Sequence, residues 1–469
     1  MKKNAFKTPS EFLSSSAQKL NLEGVMNPIP FRFDNERITN HGGFELFNRY
    51  ADISLNLSSS IEKHIDIVKR KATFSVADLT YRLINLNILF PFRISQLDYI
   101  KSDDYLKEKF SVQSHPDSDT FRRHLLKFSR KNLTDIKRLI KDLLGLDKLK
   151  KKMAKLKRIT IDIDSSLFEA YGHQQGVACS YMTSKTGNKY FNVLFGFIYE
   201  LDLLVNLSLR NGSAYTGRSA VHFVKQILLI IPKEFHHKIV VRADSGYFDE
   251  KLLLFFEKHN IGCVIKAKSY GSFDELIRKL DHRIFAPKGQ TVQFARTDFK
   301  LHSWKKARTF LVIKKRITVK NPKELENKSQ LQLPFKIKDY YYNYSFIVAT
   351  GSELVNRQLF KYYCQRGASE NFIKEYKNGF GGTDVASEKM IANYANMLLK
   401  AVSYNIVSLF KLFVLENKFQ RKTIETLRYF IIYVPGKLVK RGQKMCLSLI
   451  DNYLFQDNFS QWEKNIVPL

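Results

Sequence analysis

The chain has 469 residues, with 77 Lys+Arg against 45 Asp+Glu, a formal net charge of +32 and a pI near 9.8. A charge of that size repels itself and calls for a polyanion; spread along the whole chain rather than held in one amphipathic helix, it favours nucleic acid over a membrane surface. Cys179, Cys263, Cys364 and Cys446 form no CxxC pair, which argues against a zinc site or a disulfide framework, and no uncharged apolar run reaches transmembrane length, the nearest, YNIVSLFKLFVL, being broken by Lys411.

The N-terminus, MKKNAFKTPSEFLSSS, is basic but lacks the apolar core of a signal peptide, so the expectation is a soluble cytoplasmic protein with reduced thiols. Residues 1–150 read as helices and loops. SVADLTYRLINLNILF, Ser75–Phe90, has helical periodicity behind a Ser N-cap, and DYLKEKF follows as a short helix. PDSDTFRRHLLKFS, Pro116–Ser129, opens on capping residues and shows Thr120, Arg122, Arg123 and His124 in its first turns. Two readings fit it: a helix-turn-helix reader of DNA, or a packing helix with solvated arginines. The basic run KLKKKMAKLKR, Lys148–Arg158, fits a solvated face or a phosphate contact.

The pattern then changes. RITIDID, Arg158–Asp164, alternates strictly, with Ile159, Ile161 and Ile163 on one face and Thr160, Asp162 and Asp164 on the other. KYFNVLFGFIYE and LLVNLSLR read as two further strands, close enough for a meander. SAVHFVKQILLII then reads as a helix, KIVVRAD as a strand, DEKLLLFFEKH as a helix and GCVIKAK as a strand. This is a mixed α/β layout around one sheet. From about 271 to 351 three β-rich stretches, TVQFARTDF, ARTFLVIKKRITV and YNYSFIVAT, are separated by Lys-rich loops and read as an insertion. Helices return with YCQRGASENFIKEYKNG, Tyr363–Gly379, and KMIANYANMLLKAVSYNIVSLFKLFVLEN, Lys389–Asn417. The last stretch, residues 418–469, is basic and partly strand-like and has no assigned role.

Two features carry chemistry. Asp164 and Asp244 are each read at a strand end, where open α/β sheets place their sites, and a pair of carboxylates held together needs a cation; oxygen ligands favour Mg²⁺ or Mn²⁺. Asp162 competes for the first position because it shares a face with Asp164, and the strand terminus favours Asp164. In the helix that opens at Tyr363, the residues Tyr363, Arg366, Glu370 and Lys377 stand at offsets that fall within roughly 60° of arc on a regular helix. That stripe fits a surface built to meet a charged partner, or a solvent-facing row of ion pairs.

In combination, these residues resemble the bacterial insertion-sequence transposases of the DDE class. The spacing Tyr, two residues, Arg, three, Glu, six, Lys is that family's YREK signature, met here at Tyr363, Arg366, Glu370 and Lys377. Further matching pieces are DIDSS (Asp162–Ser166), GHQQG (Gly172–Gly176), LRNG (Leu209–Gly212), VRADSGYF (Val241–Phe248) and the NY…SYN pattern from Asn393 to Asn405. The likeness runs over roughly residues 30 to 415.

The resemblance implies an RNase H-like mixed-sheet catalytic core with a β-rich insertion, preceded by a helical N-terminal DNA-binding region. The expected domains are 1–150, the helical region; 151–270, the first part of the core; 271–351, the insertion; 352–417, the second part with the signature helix; and 418–469. It implies that Asp164, Asp244 and Glu370 hold two Mg²⁺ or Mn²⁺ ions, cut double-stranded DNA at the element's inverted repeats through a hairpin intermediate, and join the end to target DNA, with a homodimer spanning two paired ends. Tyr363, Arg366 and Lys377 are then the DNA contacts around the cut. A flipped base beside the cut needs an aromatic shelf, for which Trp304 is the candidate, with a β-sheet core position as its other reading. A metal-dependent nuclease without joining activity, and an inactive DNA-binding remnant, are the alternatives.

Overall fold

The computed structural model describes residues 36–67, 73–90, 93–110, 115–179, 187–215, 217, 219–318, 340–351 and 354–469. The basic N-terminal stretch and the Lys-rich loop ahead of Tyr340 lie outside them.

A two-residue strand, Ile38–Thr39 (β1), opens the described chain. Helices follow, as the periodicity of the first 150 residues predicts. Ser75 caps Val76–Leu89 by accepting from the Asp78 amide, Asp117 caps Ser118–Leu125 through the Thr120 amide, and Ser129 caps Arg130–Leu144. The basic run is the helix Asp147–Lys155, which buries Leu149 and Met153 and leaves most of its lysines in solvent.

The main sheet begins at Ile159–Glu169 (β2), continues through Ala178–Cys179 (β3), Lys189–Ile198 (β4), Leu203–Asn211 (β5), Ile239–Ala243 (β6) and Gly262–Lys266 (β7), and ends with Val292–Phe299 (β8), Arg308–Thr318 (β9) and Tyr340–Thr350 (β10). These form a nine-stranded mixed sheet in the order β3-β4-β2-β6-β7-β10-β9-β8, with β5 also on β4. β2 pairs antiparallel with β4 and parallel with β6, and β6 runs parallel to β7. An antiparallel meander feeding a parallel pair is the arrangement of an RNase H-like core. The β-rich segment read as an insertion joins this same sheet: β10 pairs with β7 from Ile347↔Lys266 to Thr350↔Cys263. Its strands therefore lengthen the core sheet at one edge.

The helix Met390–Phe413 has 24 residues, about 36 Å of axis, and is buried on nearly every side. Its polar side chains are bonded within the core. Asn405 bonds both the amide and the carbonyl of Leu204 at 2.8 Å, and Ser403 Oγ donates to the Ile84 carbonyl at 2.7 Å. It thus joins the sheet to the N-terminal helices. The final residues form Gly436–Arg441 (β11) and Lys444–Leu449 (β12), and β11 pairs with β1. Beyond them Trp462 is wholly buried and donates its indole N–H to Glu416 at 2.8 Å. Ile38–Leu469 is one compact unit. Among the described residues no helix is long and apolar enough to cross a membrane.

Candidate active site

Cross-strand register builds the site. β2 and β6 run parallel with Asp162 opposite Arg242 and Ile163 opposite Ala243. The next residues, Asp164 and Asp244, therefore emerge side by side where β6 stops. β2 itself does not stop there: it runs on to Glu169 paired only with β4, so Asp164 lies within its strand and marks the end of the parallel pairing. This corrects the strand-end placement of Asp164. Asp244 accepts from the Gly246 amide at 2.8 Å and opens a single turn, Ser245–Tyr247. Burial, and then the charge of Asp164, hold the Asp244 carboxyl above the usual range, while Arg366 and Lys268 act against that.

The signature segment is not one regular helix. Asn356–Cys364 is followed by a 3₁₀ turn, Gln365–Gly367, and then by the helix Ala368–Gly379. Gly367, a poor helix former, lies at the break, and the Arg366 carbonyl takes a 2.8 Å bond from Ser369 Oγ. The stripe read from a regular helix is thereby split, with Tyr363 and Arg366 ahead of the final helix.

Arg366 occupies the centre. Its Nη1 donates to Asp164 Oδ2 at 2.9 Å, and its Nη2 lies 3.8 Å from Glu370 Oε1. Ser369 Oγ stands 3.2 Å from the same Asp164 oxygen, and the Ser165 amide donates to the other oxygen at 2.8 Å. Asp164 is 14% exposed and Glu370 71% exposed, so the two Asp residues are inset and Glu370 stands at the rim. Tyr363 is half-buried, with its phenol raised by burial and bonded to Arg366. Lys377 reaches β2 beyond Asp164: its Nζ lies 3.4 Å from the Leu167 carbonyl and 4.8 Å from the Phe168 ring centre, and burial lowers its ammonium.

Asp162, which alternation left as a rival of Asp164, is wholly buried. It receives Arg242 Nε at 2.6 Å and Nη2 at 2.7 Å, and burial pushes its carboxyl up to about 6 against the pull of that guanidinium. Its oxygens are engaged within the core.

The other residues singled out from sequence lie elsewhere. Trp304 is 7% exposed, with Phe248 4.9 Å away and Arg308 over its ring at 4.7 Å. Its packing is that of a core aromatic, and its link to Asp244 runs through Phe248, which lies four residues after that Asp. Arg122 pairs with Asp119 at 2.8 Å, and Arg123 donates to Thr120 at 3.2 Å, both within their own helix. The matching loops do meet: the Gly212 amide donates to the Gly176 carbonyl at 3.2 Å, and the Gln175 amide to Glu388 at 2.8 Å, just ahead of the long helix.

Among the described residues no three His, Cys, Asp or Glu side chains stand close enough to enclose a metal ion. The adjacent pair Asp164 and Asp244 nonetheless fits a hard divalent cation, being all-oxygen and mutually repelling. Glu370 is separated from that pair by Arg366. Sequence reading missed Arg242, Ser369 and Lys268; the one available signal was that Arg242 precedes Asp244 by the same two residues by which Asp162 precedes Asp164.

The family described as Transposase DDE domain group 1 matches residues 24–469. No curated protein matches the chain. A solved structure, the piggyBac transposase synaptic complex with hairpin DNA, is similar over 91% of this chain and 85% of that one, with 12% identity and a TM-score of 0.42.

Proposed function

Since the chain belongs to the DDE transposase family of domain group 1, we propose that it cuts DNA at the ends of its own element, through a hairpin intermediate, and joins the freed ends to target DNA. The observation that supports this reading best is the parallel register that brings Asp164 beside Asp244, with Arg366 on Asp164 and Glu370 on the far side of Arg366. Asp164, Asp244 and Glu370 would hold Mg²⁺ or Mn²⁺, two ions in all. Such ions supply activation of the attacking oxygen and stabilisation of the leaving oxygen across phosphorus.

The chain's own side chains do the rest. Arg366, now on Asp164, offers a planar fork to a DNA phosphate, and Lys377 offers a point charge beside Leu167, three residues further along β2. Tyr363 steadies Arg366 through the bond between their side chains. The charge of +32 supports double-stranded DNA as partner, both the inverted repeats and the target, with two copies of the chain on two paired ends. A flipped base on Trp304 requires that ring to leave its packing on Phe248.

The test incubates the purified protein with a duplex carrying the element end and Mg²⁺. Nicked, hairpin and joined products are expected, all lost in Asp164→Asn, Asp244→Asn and Glu370→Gln. Cleavage without joining would move the assignment to a nuclease. Cleavage retained by the Glu370 variant would remove this residue from the site.

A further inference from the structure

We infer that Arg242, held by Asp162, is a positioning residue that sets the spacing between the two aspartate-bearing strands and the segment carrying Arg366 and Glu370. The inference rests on the DDE reading, which makes those carboxylates the reacting set.

The geometry is a three-rung ladder along one face of β2. At the first rung the hydroxyls of Thr160 and Tyr362 lie 2.7 Å apart, with Glu200 held on Thr160 at 2.6 Å. At the second, Asp162 grips Arg242 through two bonds, and Arg242 Nη1 donates to the Tyr362 carbonyl. At the third, Asp164 takes Arg366. Residues 160, 162 and 164 share a face because strand side chains alternate, so the T-x-D-x-D pattern is one continuous line of attachment.

Arg242 has no freedom left in that line. Its guanidinium lies 4.7 Å from the Tyr199 ring centre and 4.8 Å from that of Tyr362, with Nε, Nη1 and Nη2 all engaged. Arg242 and Asp162 are both wholly buried, which takes them away from DNA and from solvent. Stability alone does not account for the pair, since a buried ion pair is often replaced by apolar side chains at no loss. Placement does account for it. Tyr362 is in the last turn before the break at Gln365–Gly367, four residues ahead of Arg366 and eight ahead of Glu370. One guanidinium thus joins β2, β6 and the end of that helix, directly beneath the two aspartates. A lysine cannot replace it, because an ammonium lacks the fork that serves Asp162 and the carbonyl together.

The test compares Arg242→Lys and the paired change Asp162→Leu with Arg242→Met against the parent and Asp164→Asn. The paired change removes both buried charges, so it is expected to fold and to melt near the parent. Measured are melting temperature, the Kd for end DNA, kcat for cleavage, and Mn²⁺ binding to the protein–DNA complex by electron paramagnetic resonance. Both variants are expected to lose about 100-fold in kcat, the scale of a misplacement near 1 Å, with end binding unchanged and Mn²⁺ binding weakened. A paired variant that cleaves at the parent rate overturns the positioning role while leaving the DDE reading intact. So does an activity loss in Arg242→Lys that follows its melting temperature alone. A parent that neither cuts the end nor binds Mn²⁺ overturns the DDE reading and the inference with it.

Discussion

Amide replacements of the three carboxylates are expected to abolish cleavage equally and to change stability unequally. Asp164 accepts from Arg366 at 2.9 Å and from the Ser165 amide at 2.8 Å, on different oxygens. An amide has one accepting oxygen, so Asp164→Asn strands one of these donors, at a cost of about 1–3 kcal/mol. Unfolding entropy near 2.1 cal/mol/K per residue, over roughly 430 residues, makes this a fall of about 1–3 °C in Tm. Glu370 is 71% exposed and 3.8 Å from its partner, so Glu370→Gln is expected to shift Tm by less than about 1 °C. Asp244 behaves in the opposite sense. An acid whose folded pKa is raised stabilises the fold only below its ordinary pKa, and that contribution is lost as pH rises. At pH 7 its charge opposes folding, and Asp244→Asn is expected to melt at or above the parent. Differential scanning fluorimetry in Mg²⁺-free buffer, beside a gel assay of cleavage, reads both quantities. A Tm loss in Glu370→Gln as large as in Asp164→Asn, or Asp244→Asn as the least stable of the three, would refute the reasoning.

Gly212→Ala places a Cβ 2.0 Å from the Tyr190 carbonyl oxygen and 2.4 Å from that of Ala178, and is expected to cost more than about 2 kcal/mol in urea unfolding. Trp304→Ala is expected to cost about 3–5 kcal/mol as a core truncation, while Trp304→Phe keeps the fold. If 2-aminopurine beside the cut still unstacks in Trp304→Leu, which removes the ring, another aromatic receives the base. Replacing Arg122 and Arg123 together by Ala is expected to leave stability within about 0.5 kcal/mol and to reduce the salt slope of end binding by about 2. An unchanged slope restricts that helix to packing.

The parts of the fold that were legible are those written in local period. Ile159, Ile161 and Ile163 against Thr160, Asp162 and Asp164 announce a strand, and Ser75 and Asp117 announce helix starts, whereas Ser129, read as the end of one helix, caps the next. What was not legible depends on pairing between distant residues. Period two puts Asp162 and Asp164 on the same face and cannot separate them; Arg242, 80 residues away, separates them by engaging Asp162 alone. The place of the β-rich segment likewise depends on the pairing of β10 with β7, which joins it to the core sheet. Spacing pointed to Tyr363, Arg366, Glu370 and Lys377 but not to the break at Gln365–Gly367, because one weak helix former does not end a helix without the tertiary bonds around it.

The pairing of β1 with β11 has a consequence for synthesis. Ile38 and Thr39 emerge early from the ribosome, and their partners, Lys437 and Gly436, emerge nearly last. Between them the sheet waits for residue 340 before β7 gains its second neighbour, and Asp164 waits for Arg366. Contacts of such long sequence separation form slowly and only once both partners exist. A nascent chain therefore carries its N-terminal helices well before the contact between Asp164 and Arg366 can form. Trimming the final fifty residues would remove β11, β12 and Trp462, and so would open the fold at its first strand.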